Sequence, residues 1–457
     1  MSGKNVTLAI DGVSVTVPEG TTILEAARKV NVKIPTLCNH PDLCKRAVCR
    51  ICVVENDGRG KLLASCAHNA EEGMNIVTNN SRIFGIRKTI IALILSSHLH
   101  DDCLACIRNT KCELQTLAGI YSTSESPFPK NSLNRNSQGL KEISCNALVR
   151  DMDKCIKCGR CVEACNDIQA VRAINTSCRS VDYAICTPYA QALSDGPCVF
   201  CGHCLEVCPV AAIYEHDQSG EVWALLSEKK QDMVIKIAHQ EAQAVYAELG
   251  LFAGDTTIGK IITGLRQMGF SGVYDAKSFE AMSANEEAAE LSERIKCSGF
   301  LPMISGCSAG CAKFVKECYP DLSNHLSEAK SPEQNFMDNV DNGTQKICVS
   351  VAPCIAKKYK VQSAKEIVLT VRELARLIRL SGTDLSAIKE SAFNPFTGEA
   401  DILRMRAKSE EPNKLLEVCG FANARKALDS IRSGNCDAAY VKILSCPSGC
   451  KTRVMCR

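Results

Sequence analysis

The sequence predicts a multidomain α+β fold, and three observations lead to it. Thirty of the 457 residues are cysteines, and fifteen of these stand in three ordered patterns before residue 210. The first eighty residues open with the alternation of a β-hairpin and continue into a helix. Beyond residue 215 the cysteines thin out, and helix and strand patterns alternate as in an α/β domain. Length alone allows about three or four domains, and the motifs place them at 1–80, 81–120, 140–215 and 216–457.

Composition narrows the setting. Small secreted domains can be this rich in cysteine, but they are short and stapled by disulfides. This chain is long, 46% apolar, and opens with Met1-Ser2-Gly3-Lys4, which is no signal peptide. Its cysteines are therefore expected as thiolate ligands in a reducing cytoplasm. A net charge of +3, from 54 basic and 51 acidic residues, leaves no nucleic-acid or membrane footprint. The apolar run Thr89–Leu95 is far short of the ~18 residues of a membrane span and is expected as a buried helix.

In the first domain, Val6–Ile10 and Val13–Val17 alternate apolar and polar residues across Asp11-Gly12, a hairpin with a tight turn. Thr21 or Thr22 caps a helix through Ile23, Ala26 and Val30. The following loop carries Cys38, Cys49 and Cys52, and Cys66 follows a short strand at Lys61–Ala64. The spacing is C-x10-C-x2-C-x13-C. Four thiolates, three from one loop, are what a 2Fe–2S rhomb requires; a zinc site is the competing reading. Ile34-Pro35-Thr36-Leu37-Cys38 and Cys49-Arg50-Ile51-Cys52-Val53-Val54-Glu55 resemble the 2Fe–2S domain that opens the large subunits of NADH-linked dehydrogenases and FeFe hydrogenases. That resemblance implies a β-grasp fold, with Cys44 outside the ligand set.

Cys103, Cys106 and Cys112 then give C-x2-C-x5-C. The string is similar to the small helical 4Fe–4S module with one histidine and three cysteine ligands that follows the 2Fe–2S domain in the same families. The family's histidine stands four residues before the first cysteine, where this chain has Leu99 between His98 and His100. A one-residue insertion after His98 keeps the upstream helix in register and favours His98, with His100 as the alternative.

The third pattern is C-x2-C-x2-C-x3-C, formed by Cys155, Cys158, Cys161 and Cys165 and repeated by Cys198, Cys201, Cys204 and Cys208 before Pro209. In two-cluster ferredoxins the fourth cysteine of each run serves the other cluster. One 4Fe–4S centre is thus expected on Cys155, Cys158, Cys161 and Cys208, the other on Cys198, Cys201, Cys204 and Cys165. Such a unit is expected to have almost no hydrophobic core of its own. Cys145, Cys178 and Cys186 fall outside the pattern and are expected as buried thiols.

In the last domain Gly259–Met268 is an amphipathic helix before a short strand at Gly272-Val273-Tyr274. Cys348–Ala352 is a strand ending at Pro353-Cys354, Phe421–Ile431 a helix, and Ala438–Leu444 a strand ending at Cys446. Two strands delivering cysteines from their C-terminal ends suggest a cluster in the crevice there. Residues 222–450 resemble the catalytic domain of FeFe hydrogenases. Leu301-Pro302-Met303, Lys330-Ser331-Pro332-Glu333-Gln334, Pro353-Cys354-Ile355-Ala356-Lys357-Lys358 and Cys446-Pro447-Ser448-Gly449-Cys450 carry that resemblance.

The departures fall on one place. The family's first segment has Thr-Ser-Cys-Cys-Pro, against Ser305-Gly306-Cys307-Ser308-Ala309 here, with Cys311 where a tryptophan stands. Cys307 matches a proton-relay cysteine, while Ser308 matches a 4Fe–4S ligand. Ala352 and Leu444 replace methionines that pack on the diiron unit, and Lys360 and Lys442 replace glutamates. The glycine-rich stretch after Cys450 is missing, and the domain reads as truncated at its C-terminus. The retained thiols suffice for a cubane on Cys354, Cys446, Cys450 and one of Cys307 or Cys311. Glu287 and Glu290 match proton-path glutamates, although glutamates on a helix are more often a solvated face.

The resemblance implies one 2Fe–2S cluster and three or four 4Fe–4S clusters, and the departures from it imply that the diiron unit is absent. It implies a cytoplasmic electron-transfer subunit of an NAD(P)- or ferredoxin-linked complex, of the formate dehydrogenase or electron-bifurcating type. Its own hydrogenase activity is not expected. Expected partners are a flavin- and NAD(P)-binding iron–sulfur subunit, a small 2Fe–2S subunit, a formate dehydrogenase subunit and ferredoxin. An FeFe hydrogenase with a divergent site is the alternative, and a redox sensor the weaker one.

Overall fold

The computed structural model describes residues 4–56, 60–98, 102–123, 127–128, 141–143, 145–229, 231–251, 257–341, 345–359, 365–396 and 415–447. His100, Lys360 and Cys450 lie outside them.

β1 (Asn5–Ile10) and β2 (Val13–Pro18) pair antiparallel across the expected turn. α1 (Ile23–Lys29) starts in a capping box in which the Thr22 hydroxyl accepts from Glu25 N–H. Thr22, and not Thr21, is therefore the cap. β3 (Val53–Asn56), β4 (Lys61–Ala64) and β5 (Asn75–Val77) complete a five-stranded sheet in the order β2-β1-β5-β3-β4. The alternating side chains of β1 and β2 put Leu8, Ile10, Val15 and Val17 against Ile23, Leu24 and Ala27 of α1.

α2 (Ser81–Ser97) and α3 (Glu113–Ile120) form the helical second unit. The run Thr89–Leu95 lies in α2 but is only half-buried: Ile91 and Ala92 face inward while Leu93 is 48% exposed. One apolar stripe is all that a helix packed on one side can bury.

The tandem cysteine unit is built on a β6 (Leu148–Arg150) and β9 (Ile213–Glu215) pair, with short helices α4 (Arg160–Glu163) and α5 (His203–Val207). Its two halves repeat in backbone detail. Lys157 and Phe200 have φ of 55° and 54°, and Gly159 and Gly202 have φ of 78° and 79°. A second hairpin, β7 (Asn175–Ser177) and β8 (Ala184–Cys186), lies between the halves. The extra cysteines are not buried as expected: Cys178 is exposed, and Cys145 and Cys186 are half-buried, because this short hairpin and the entry to β6 lie near the surface.

The last unit has two parallel sheets. α6 (Ser219–Glu228) leads to β10 (Met233–Ile237), α7 (His239–Leu249), α8 (Ile258–Met268), β11 (Gly272–Asp275) and α9 (Ala276–Lys296). β12 (Met303–Gly306), α10 (Ala309–Cys318), α11 (Pro332–Val340), β13 (Ile347–Ala352), β14 (Glu366–Thr370) and α12 (Val371–Ser381) follow. β15 (Leu415–Cys419), α13 (Phe421–Arg432) and β16 (Tyr440–Leu444) close the described chain. The sheet orders are β11-β10-β13-β14 and β12-β16-β15. β10 and β13 are buried along their whole length, as parallel strands covered on both faces must be. Met233, Ile235 and Ile237 face a core with α7, α8 and α12, while Val234 faces Phe279 and Phe336 of α9 and α11.

The few apolar side chains of the tandem unit join a larger core. Its Val171, Ile174, Val199, Phe200 and Val210 share one continuous core with Phe314, Phe421, Val441 and Ile443 around the three-stranded sheet.

Candidate metal centres

In the first unit the thiols meet in two pairs. Cys52 Sγ lies 3.2 Å from Cys66 Sγ, and Cys38 hydrogen-bonds Cys49. The bond from Cys49 pulls the Cys38 thiol down to about 6 against burial, and Cys66 pulls Cys52 to about 6 in the same way. The partner thiols are pushed up correspondingly. Two pairs suit a rhomb, in which each iron takes two thiolates. The loop is pinned from behind by Arg87 of α2, 3% exposed, which donates to the carbonyls of Ile51 (3.1 Å), Val53 (2.7 Å) and Thr78 (3.0 Å).

His98 caps the C-terminal end of α2, and its ring lines a cavity of about 160 Å³ together with Cys103, Cys106 and Cys112. Nδ1 lies 3.1 Å from the Lys154 carbonyl oxygen. A carbonyl only accepts, so Nδ1 carries the proton, the tautomer in which Nε2 can bind a metal.

Cys155, Cys158, Cys161 and Cys208 line one narrow cavity with Arg150, Ile185 and Ile213. Burial and the neighbouring Cys208 push the Cys158 thiol up to about 12. Burial raises Cys204 well above the usual range, reinforced by Cys201, Cys198 and Cys165. The structure thus brings the fourth cysteine of each run beside the first three of the other. Thiols held so high need a strong cation to lose their protons, which iron supplies when bound. Lys157 N–H donates to Cys155 Sγ at 3.4 Å and Ala173 N–H to Cys165 Sγ at 3.2 Å.

Toward the C-terminus, Cys307 and Cys311 both lie 3.3 Å from Ser445 Oγ, immediately before Cys446. A hydrogen bond from Cys311 lowers Cys307 to about 5. Ser308 Oγ is 3.8 Å from Cys311 Sγ, so the helix brings a thiol from one turn on to nearly where the serine stands. β13 and β16 deliver Cys354 and Cys446 from two different sheets, so the crevice lies between sheets and not along one. Beside Cys354, Lys236 and Lys357 flank Glu333 at 3.6 and 3.2 Å. Burial lowers Lys236 to about 8.

Glu287 and Glu290 of α9 are not a solvated face. Ser305 and Tyr440 each donate to Glu287 at 2.6 Å, and Ser327 donates to Glu290 at 2.6 Å. These partners come from β12, β16 and the loop before α11, which no helical period could reveal, while Arg294, one turn on in α9, also donates to Glu290 at 2.6 Å. Among the described residues no three histidine, cysteine or acidic side chains close on a single metal-ion point; the sets instead surround cavities or meet in pairs. No described helix is long and apolar enough to cross a membrane.

Comparison with known proteins agrees with this layout. The family model "Iron only hydrogenase large subunit, C-terminal domain" matches residues 231–410. A 2Fe-2S iron-sulfur cluster binding domain matches 3–81, the NADH-ubiquinone oxidoreductase-G iron-sulfur binding region 87–127, and a 4Fe-4S binding domain 148–165. NADP-reducing hydrogenase subunit HndD of Solidesulfovibrio fructosivorans is 34% identical over 85% of this chain and 70% of its own length. Iron hydrogenase 1 of Clostridium pasteurianum is 31% identical over 86% and 71%. The NADH-ubiquinone oxidoreductase 75 kDa subunit of Reclinomonas americana is 32% identical over 46% of this chain and 29% of its own length.

Proposed function

This chain belongs to the family of iron-only hydrogenase large subunits, and from that premise we propose that it is an electron-wiring subunit without hydrogen chemistry of its own. The observation that carries the reading is how the tandem unit is seated. The equivalent glycines of its two halves receive different neighbours: Gly159 packs against Arg46 of the 2Fe–2S loop, and Gly202 against Ile355, next to Cys354. Neither position has room for a Cβ without displacing that neighbour, and both have positive φ. Lys313 of α10 closes the second seam, donating to the carbonyls of Ser194 and Gly196 at 2.9 and 2.7 Å. The described cysteines on both sides of these seams thus lie in one packed body.

The 2Fe–2S centre uses Cys38, Cys49, Cys52 and Cys66, and the next centre His98, Cys103, Cys106 and Cys112. The tandem centres use the crossed sets, and a C-terminal 4Fe–4S cluster uses Cys311, Cys354, Cys446 and Cys450. When bound, such clusters carry single electrons. Against a diiron unit stands the crevice beside Cys354, where Ala352 and Leu444 offer less packing surface than methionine. The partners are a flavin- and NAD(P)-binding iron–sulfur subunit, a small 2Fe–2S subunit, and ferredoxin or a formate dehydrogenase subunit, in the cytoplasm. A second reading, an active hydrogenase, is favoured by the hydrogen bonds of Glu287 and Glu290.

Infrared spectroscopy of the anaerobic protein, before and after loading with a synthetic diiron cofactor, separates the two. We expect no carbonyl or cyanide bands and no hydrogen turnover, with about eighteen irons per chain from the formulas of the five clusters. Carbonyl bands with hydrogen turnover would transfer the assignment to the hydrogenase reading.

A further inference from the structure

Arg160 is 3% exposed and precedes Cys161. Its guanidinium reaches three other cysteine-bearing segments. Nη1 and Nη2 donate to the two carboxylate oxygens of Glu113, next to Cys112, at 2.7 and 2.8 Å. Nη2 also donates to the carbonyl of Asn39, next to Cys38, at 2.9 Å. Nη1 reaches the carbonyl of Val207, next to Cys208, at 3.4 Å. The charge acts on the Cys38 and Cys158 thiols as well. The guanidinium is buried, so salt and water screen it weakly, whereas the Glu113 carboxylate is 45% exposed and more strongly screened.

We propose that Arg160, balanced by Glu113, is a positioning residue that sets the reduction potentials of three neighbouring iron–sulfur centres together. The proposal rests on the ligand sets of the proposed function: the 2Fe–2S centre, the histidine-ligated centre, and the tandem centre of Cys155, Cys158, Cys161 and Cys208. Reduction adds negative charge to a centre, so a nearby guanidinium favours the reduced form and a nearby carboxylate opposes it. Arg160→Gln leaves Glu113 uncompensated, and all three potentials fall. Glu113→Gln leaves the guanidinium uncompensated, and all three rise. The double variant lies between. Arg160→Lys keeps the charge but loses the two-pronged geometry, and stays closer to wild type than Arg160→Gln.

Potentiometric titration of the full-length anaerobic protein, followed by paramagnetic resonance, reads each centre. Arg160→Gln is expected to alter the ratio of reduced to oxidised centre about tenfold at fixed potential, 59 mV for one electron, and Glu113→Gln to alter it less, because its carboxylate is more exposed. Iron content is measured alongside. Should Arg160→Gln lose iron, Glu113→Gln decides, because it leaves the Asn39 and Val207 contacts in place. Potentials that stay fixed, or move at one centre alone, with wild-type iron would overturn the proposal by itself. Wild-type protein lacking the cluster signals would overturn the ligand sets, and this proposal with them.

Discussion

Gln169 and Ser445 stand 276 positions apart and are joined by a hydrogen bond, the Gln169 side-chain amide donating to the Ser445 carbonyl at 2.9 Å. The other end of that amide accepts from Phe421 N–H at 3.1 Å. Gln169 is 1% exposed, follows Cys165 by one helical turn, and holds the segment that delivers Cys446. Gln169→Leu leaves a carbonyl and an amide unpaired in a dry seam, at about 1–3 kcal/mol each. We expect about 3 kcal/mol less stability by anaerobic urea unfolding and a perturbed C-terminal cluster signal. An unchanged midpoint would exclude this amide as the clasp.

Cys165 and Cys198 are expected to serve one tandem centre, and Cys155 and Cys208 the other. Cys165→Ala and Cys198→Ala should therefore lose the same paramagnetic signal, while Cys208→Ala and Cys155→Ala lose the second. The motive is the grouping of thiols around Cys204 and around the narrow cavity that Cys208 lines. Pairing by sequence neighbourhood, Cys165 with Cys155, would contradict it.

Much of this was legible because local rules decide it. The turn at Asp11-Gly12, the helix after Thr22 and the cysteine runs each depend on residues a few positions apart. The buried arginines were not legible: no local pattern marks Arg87 or Arg160, and the carbonyls around them come from distant segments. The fusion of the tandem unit with the three-stranded sheet was hidden for a similar reason, since Val199 and Phe200 lie in a loop that has no period. Glu287 and Glu290 misled because Ser305, Tyr440 and Ser327 come from other elements, and of their contacts the Arg294–Glu290 pair alone follows the helical period.

Glu333 supplies a pH dependence with a definite sign. Burial pushes its carboxyl up, but Lys357 and Lys236 more than reverse this, to about 2 from the usual 4.5. Its folded value lies below its unfolded one, so its contribution is complete above pH 4.5 and is lost as pH falls toward 2. At neutral pH that is about 3 kcal/mol. Lys236 works oppositely: lowered to about 8 from 10.5, its protonated form costs stability, a cost relieved as pH rises through that window. Glu333→Gln should lose about 3 kcal/mol at pH 7 and show a flatter acid limb in urea unfolding. Parallel acid limbs in variant and wild type would remove Glu333 as the source.

His98 is expected to bind iron through Nε2, and replacing it changes the charge of the centre as well as its geometry. The Lys154 carbonyl fixes the ring from the Nδ1 side, and Cys103, Cys106 and Cys112 line the same cavity. His98→Ala removes one ligand of four and should abolish that centre's paramagnetic signal while leaving the 2Fe–2S signal intact. His98→Cys restores a ligand but exchanges a neutral imidazole for a thiolate. The added negative charge makes the centre harder to reduce, so its signal should return only at lower applied potential. A positional effect without ligation would not follow charge in this way. His100→Ala should leave the signal unchanged; loss of the signal there, with His98→Ala silent, would move the ligand to His100.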